Sequence, residues 1–417
     1  MIEIKRNLYE KIKKSLEIKE ILLIAGPRQS GKTTLMKKLR DFLKLEENKT
    51  IFLNLDIEKD AVHFASQTSL VKKLELEIGK EKGFVFIDEI QRKENAGLFL
   101  KGIFDMNLPY KFIVSGSGSL ELKEKIHESL AGRKRMFELS TITFDEFVNF
   151  KTQYKYAKNL DNFFSVENEL SLSFLEDYLN FGGYPRVVLA ETFQEKNQTI
   201  SEIYRSYTEK DISYFLGESK IEKFSLMIKL LADQSGKIIN YSQLAKETGI
   251  SFQTLKNYLW YAEKTFSIRT IPPYFKNKHK EITRAPLAYF CDLGLRNFSL
   301  GLFGNLFQPE QAGFVFQNLI ANKLQEKIFD TAKSLNFWRT LDKAEVDFVV
   351  DDGRNPLPIE VKYSKLKNPQ TTRSMINFIK TYSPPQAWII NLSLETETKI
   401  EDTRVKFIPF WKLWTQS

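Results

Sequence analysis

The run Gly26-Pro27-Arg28-Gln29-Ser30-Gly31-Lys32-Thr33-Thr34 fits the pattern G-x-x-x-x-G-K-[ST]. It lies between the apolar run ILLIA and the helix-like stretch TTLMKKLRDFLK. Glycines at the two fixed positions let the backbone bend so that successive N–H groups face the β- and γ-phosphates of a nucleotide, and the following helix adds the positive end of its dipole. Lys32 then supplies a point charge to those phosphates, and the Thr33 hydroxyl is a ligand for Mg²⁺. Gly26 through Thr34 are thus the candidate contacts of ATP. A second run, Phe84-Val85-Phe86-Ile87-Asp88-Glu89, is an apolar strand ending in two acids. Asp88 falls at the strand's carboxyl end beside the phosphate loop, where it joins Thr33 around Mg²⁺, and Glu89 is placed to polarise the attacking water. A third strand-like run ends in Ser115-Gly116-Ser117, and Ser117 is the candidate for a polar group between the water and the γ-phosphate. Arg133, in SLAGRKRMF, is either an arginine finger acting in cis or in trans, or part of a basic surface turn.

The stretch AEVDFVVDDGRNPLPIEVKY carries a different chemistry. A hairpin turning between Gly353 and Arg354 pairs positions that sum to 707, so Asp347 faces Glu360 and Glu345 faces Lys362. Side chains alternate along a strand, which puts Glu345 and Asp347 on one face, and likewise Glu360 and Lys362. Carboxylates at Asp347 and Glu360 suit a divalent metal, and Lys362 suits activation of water or stabilisation of a charged phosphate. This Asp…Glu-x-Lys arrangement is the one used by restriction-endonuclease-like nucleases. The competing reading is a charged, solvated hairpin face with cross-strand ion pairs.

Between these sites, Asn240 and Ser251 read as helix caps and Gly249 as a helix stop, giving helix, tight turn, helix. On the second helix Leu255, Tyr258, Leu259 and Ala262 recur at core spacing, leaving Gln253, Lys256 and Asn257 outward. Lys276, Lys278 and Lys280 would sit on a following wing. Such an arrangement contacts DNA phosphates and grooves, or serves as a protein-packing lid.

The elements that must hold these groups follow from the pattern of the chain. ILLIAG, TIFLNLD, GFVFIDE and KFIVSGS read as buried strands separated by helix-length sequence, which implies an α/β unit with a mostly parallel sheet. Helical patterns dominate from about 143 to 215, broken at FGGYP. A long helix, AGFVFQNLIANKLQEKIFD, opens the last stretch, with strands around NFWRT, AEVDFVV, LPIEVKY and QAWIINL as a second α/β unit. The 417 residues carry 62 Lys+Arg against 53 Asp+Glu, a net charge of +9 that favours an acidic partner such as DNA. One cysteine, Cys291, excludes an internal disulfide, and His63, His127 and His279 are too scattered for a zinc site. No apolar run spans a membrane and the N-terminus lacks a signal-peptide core, so a cytoplasmic location is expected.

Taken in order, GPRQSGKTTL, FVFIDEIQ, VSGSGS, SLAGR, FGGYP, YTEKDI, AYFCDLGL and FWRT…AEVDFVV…IEVK resemble a family of prokaryotic ATPases. These pair an AAA-type P-loop domain with a C-terminal domain of unknown function. The resemblance implies an ATPase unit at 1–160, a helical lid or linker at 161–220, a winged-helix segment at 221–300 and a restriction-endonuclease-like α/β domain at 301–417. It departs from the family at Leu287, where a lysine is usual, and at Gln317, where a glutamate is usual. Gln317 removes one anion from the site of Asp347 and Glu360, although Glu345 offers a substitute. The expected activity is Mg²⁺-dependent ATP hydrolysis whose nucleotide state controls DNA engagement. The alternative is a non-cutting switch that binds a protein partner, and a homo-oligomer is compatible with either.

Overall fold

The computed structural model describes residues 3–117, 130–207, 220–275, 285–306 and 309–415. Five parallel strands form the first sheet: β1 (Ile21–Gly26), β2 (Thr50–Asn54), β3 (Gly83–Asp88), β4 (Tyr110–Ser117) and β5 (Lys134–Glu138), in the order β2-β3-β4-β1-β5. Side-chain alternation divides these strands between two cores. Ile21, Leu23, Val85, Ile87 and Val114 pack on one face with the helices Gln67–Glu77 and Ala96–Asp105. Leu22, Ile24, Phe84, Phe86 and Ile113 pack on the other with Leu35, Met36, Leu39 and Leu43 of the helix Lys32–Leu45. Both faces are covered, as continuous apolar strands require. β4 lies between β1 and β3, an insertion that the strand runs alone did not order.

Helices Phe144–Lys151, Asn168–Phe181 and Phe193–Ser206 follow. The first of these and the helix Leu160–Val166 pack against the C-terminal end of the chain. Phe144 and Phe164 pack on Phe410, and Phe164 stacks on Trp411, with ring centroids 5.7, 6.3 and 6.0 Å apart. Lys412 also pairs with Asp161 at 3.0 Å.

The helices Tyr241–Thr248 and Phe252–Lys264 are joined through Gly249, whose φ of 63° is the left-handed stop a glycine supplies. Asn240 and Ser251 accept hydrogen bonds from Gln243 N and Thr254 N as caps. Leu255, Tyr258, Leu259 and Ala262 are buried, while Gln253, Lys256 and Asn257 are exposed. The short antiparallel pair β6 (Ile268–Ile271) and β7 (Leu287–Phe290) completes this unit. Lys276, Lys278 and Lys280 lie outside the described residues.

The last sheet orders its strands β12-β13-β11-β10-β9-β8: β8 (Ser334–Arg339), β9 (Glu345–Asp351), β10 (Leu357–Val361), β11 (Gln386–Asn391), β12 (Thr396–Ile400) and β13 (Thr403–Pro409). β10, β11 and β13 run parallel, and the remaining neighbours are antiparallel. The pairs Leu357/Val350, Pro358/Val349 and Ile359/Phe348 have the hairpin register that places Asp347 opposite Glu360. Among the described residues, no helix is long and apolar enough to cross a membrane.

Candidate functional site

The phosphate loop leaves β1 at Gly26, where a side chain would meet the Leu139 carbonyl at 2.1 Å. Gln29 and Gly31 then take positive φ values of 59° and 97°, and Gly31 is the N-cap of the helix Lys32–Leu45. Lys32 is 5% exposed. Its ammonium donates to the carbonyls of Gly26 at 3.0 Å and Pro27 at 2.7 Å, curling the charge over the concave side of its own loop. Thr33 donates to Asp88 Oδ2 at 2.7 Å, which joins the two acid- and hydroxyl-bearing motifs across 55 positions.

Ser115 donates its hydroxyl to Asp88 Oδ1. Ser115, a member of the Ser-Gly-Ser run, is therefore the residue brought to the acid. Ser117 closes β4 next to Gly26, and its side chain lies outside the described residues. Asp88 is fully buried, with both oxygens engaged by hydroxyls. Glu89 takes a left-handed backbone at φ 58° and accepts a hydrogen bond from Gln91.

Two arginines that the motifs did not single out hold this loop. Arg6 donates to Ser30 O, Ser140 O and Thr141 O at 2.7, 2.7 and 3.1 Å, and its Nε pairs with Glu146 at 2.9 Å. Burial pushes the Glu146 carboxyl upward, and Arg6 opposes that shift. Glu146 also takes the N–H of Asn7 at 2.6 Å and of Thr143 at 3.1 Å. The clamp thus ties the N-terminal segment, the phosphate loop and the first helix after the sheet into one rigid corner. Arg186 reaches Gln29 Oε1 at 3.3 Å and Glu202 at 3.0 Å. Nothing local in the sequence marks either arginine: Arg6 meets Glu146 across 140 positions and Arg186 meets Gln29 across 157. A cavity of about 370 Å³ opens beside Gly31 and Thr34, walled by Ile4, Leu35, Ile142 and Leu189.

Of the readings open to Arg133, action on the nucleotide of its own chain does not fit its place in the sheet. It precedes β5 at the edge where the strands begin, its carbonyl accepting from Ile21 N, whereas the phosphate loop is at the edge where they end. Its guanidinium pairs with Asp105 at 2.7 Å. A sheet's length of roughly 17 Å separates it from the loop, so it cannot serve the nucleotide of its own chain.

At the C-terminal site, Asp347 accepts from Val361 N at 2.7 Å and from Gln317 Nε2 at 2.6 Å. Burial pushes its carboxyl up to about 7; the Val361 amide opposes this, the neighbouring Glu360 adds to it, and Lys362 opposes it. Glu360 is 2% exposed, accepts from Thr372 through one oxygen, and has Lys362 Nζ at 3.6 Å from the other. Glu345, on the same strand face, adds its charge to the upward push on the Asp347 carboxyl. Arg339 stands opposite it on β8 and takes its carboxylate at 3.6 Å. Among the described residues no three His, Cys, Asp or Glu side chains form a metal-binding group. The site therefore has two carboxylates, with Gln317 in contact with one of them.

Comparison with known proteins divides the chain in the same order. Residues 18–148 match the model of an AAA domain, residues 173–306 match a domain of unknown function, and residues 312–413 match another. An uncharacterized protein of Methanocaldococcus jannaschii is 27% identical over 96% of this chain and 90% of its own length. One of Haemophilus influenzae is 24% identical over 94% of each. AMPPCP-bound DnaA from Aquifex aeolicus, at 16% identity, covers 62% of this chain and 88% of that one with a TM-score of 0.30, an overlap too loose to inform either fold or function. The motif, the strand order and the match at 18–148 together make the N-terminal unit an AAA-type P-loop ATPase domain, followed by two units that match families of undescribed function.

Proposed function

We propose that the protein binds and hydrolyses ATP with Mg²⁺ at the loop Gly26–Thr34. The observation that carries this reading is the joined set of Lys32, Thr33, Asp88 and Ser115 at the carboxyl edge of the sheet. The residues fit the missing groups: Lys32 spends its donors on its own loop carbonyls, and triphosphate oxygens are stronger acceptors for a buried ammonium. Thr33 and Asp88 would hold Mg²⁺, which supplies neutralisation of phosphate charge. Pro27, Arg28, Gln29 and Ser30 present the loop's backbone, and Thr34 follows Thr33 in the first turn of the helix. Glu89 takes a proton from the attacking water, and Ser115 holds Asp88 in place. A role for Arg133 at a nucleotide is one in trans, on a second copy of the chain. Nucleotide binding and phosphate release are the test. Lys32→Ala loses binding, whereas Glu89→Gln keeps binding and slows turnover. A parent that binds no nucleotide, with or without DNA, ends the reading.

A second reading rests on a separate observation, the buried Glu360 oxygen that no hydrogen bond satisfies. Asp347 and Glu360 fit a divalent cation, with Lys362 beside them as the cation-side partner of a phosphodiester, in the manner of a nuclease. Exposed Gln253, Lys256 and Asn257 on the second helix of the helix-turn-helix unit would engage the DNA. A salt titration of DNA affinity followed by incubation with Mg²⁺ or Mn²⁺ separates the outcomes. Salt-dependent binding with cleavage supports the nuclease. Binding without cleavage supports a switch, and no binding supports a regulator with a protein partner.

A further inference from the structure

The segment from Glu3 to Arg6 runs along the cavity of about 370 Å³ beside the phosphate loop, with Ile4 and Arg6 in its wall and Lys5 exposed. Arg6 fixes one end of this segment to the loop through Ser30 O at 2.7 Å. Tyr154 holds the other end. Its hydroxyl accepts from Lys5 N at 2.6 Å and donates to Glu3 O at 3.0 Å, and the Lys5 ammonium lies 4.6 Å from the centre of its ring. A tight reversal after the helix Phe144–Lys151 brings Tyr154 there, with Gln153 and Tyr154 at positive φ values of 52° and 62°. Two consecutive left-handed residues that carry side chains are costly, and such strain persists only where the surroundings hold it. The phenol's bonds to Glu3 and Lys5 are among the contacts that hold it. Glu3 also pairs with Lys38 at 2.8 Å, which ties the same end to the helix Lys32–Leu45.

The cavity begins where the phosphate loop ends, with Gly31, Thr34 and Leu35 on one side and Ile4, Tyr9 and Ile142 among the residues facing them. A nucleotide whose phosphates lie on the loop's N–H groups must send its sugar and base out past the first turn of the helix, and this is the space that turn borders. Mostly apolar walls with one aromatic ring suit the flat faces of a base. We propose that Glu3–Arg6 is a strap over the nucleoside portion of the ATP site and that Tyr154 is the latch that keeps it closed. This rests on the ATP reading above and adds to it a positioning residue remote from the phosphates. With the hydroxyl in place, the wall that carries Ile4 is set before the nucleotide arrives. Without it the strap is closed for only part of the time, and the apparent affinity for ATP falls with that fraction.

The test compares ATP with inorganic tripolyphosphate, each titrated with Mg²⁺ into the full chain and followed by calorimetry. Tripolyphosphate can occupy the loop but leaves the nucleoside cavity empty. The parent binds ATP more tightly than tripolyphosphate. Equal affinities overturn the strap while sparing the phosphate loop, and a parent that binds neither ends the ATP reading and the strap with it. Tyr154→Phe keeps the ring beside Lys5 and removes only the hydroxyl with its two hydrogen bonds. It weakens ATP about tenfold and leaves tripolyphosphate within about twofold of the parent. Equal weakening of both ligands overturns the latch, since Tyr154 then supports the loop as a whole, and unchanged ATP affinity overturns it as well. Should the hydroxyl's loss also lower the nucleotide-free Tm, Ile4→Ala decides: weaker ATP with unchanged tripolyphosphate supports the strap, and any other pattern overturns it.

Discussion

Arg6→Ala should be among the most damaging single changes outside the nucleotide motifs. Glu146 has a side chain 3% exposed, and Arg6 is its ion-pair partner at 2.9 Å. Removing one member of a buried pair costs about 3–5 kcal/mol, because the remaining charge keeps its desolvation penalty. The N–H groups of Asn7 and Thr143 stay on Glu146, which places the expected loss near the low end, at about 3 kcal/mol. Glu146→Gln leaves Arg6 on three carbonyls and should cost about 1.5 kcal/mol. Once the carboxylate is neutral, Arg6→Ala has less left to lose, so the double variant should fall short of additivity by about 1–2 kcal/mol. Urea unfolding of the parent, both single variants and the double variant measures this. Lys82→Ala, which breaks the exposed pair with Glu17, serves as the reference at under about 1 kcal/mol. Ser30 also loses its carbonyl anchor in Arg6→Ala, so ATP affinity should fall by about tenfold. An Arg6→Ala protein as stable as Lys82→Ala, or strict additivity with Glu146→Gln, would refute the argument from burial.

Three further outcomes follow from the C-terminal acids. Asp347 keeps its proton up to about 7 when folded, while the unfolded carboxyl ionises near 3.8. The folded state therefore binds more protons across that window, and metal-free stability falls as pH rises from about 4 to about 7. Allowing for the solvent that still reaches the half-buried carboxyl, the loss is about 2 kcal/mol, and Asp347→Asn should flatten it in thermal unfolding followed across pH. Gln317→Glu should tighten Mn²⁺ binding, measured by titration of the full chain, by restoring a charge beside Asp347. Glu345→Gln should leave it within about twofold, because Arg339 already holds that carboxylate.

Continuous apolar runs made β1, β3 and β4 legible, since a strand buried on both faces needs little else, and the run in β2 was legible although that strand is a half-buried edge. β5, KRMFE, is an edge strand whose three leading residues mix charge with a lone methionine, and its pairing with β1 becomes visible only in space. The β12 strand TETKI is hidden for the same reason, being a half-exposed edge. The hairpin register was legible because one turn fixes every pair that follows it. The fate of Glu345 was not, since it depends on Arg339, across a β8–β9 ladder that shifts register between Asn336 and Trp338. The Arg6–Glu146 clamp is likewise silent in one dimension. Arg133 shows the converse hazard: a basic residue near a nucleotide motif in sequence can lie at the far end of the same sheet.

The packing of Phe410 and Trp411 against Phe144 and Phe164 has a consequence for how the chain is made. Lys412 and Asp161 meet across 251 positions, so the helices after the first sheet leave the ribosome long before their aromatic partners exist. At roughly 5–20 residues per second, that interval is on the order of ten to fifty seconds. During it the sheet of β1–β5 has its own helices on both faces, whereas Phe144 and Phe164 have each other and Tyr178 but lack Phe410 and Trp411. Chaperone binding during synthesis should therefore concentrate on nascent chains that have emerged beyond Phe164 but not yet past Trp411.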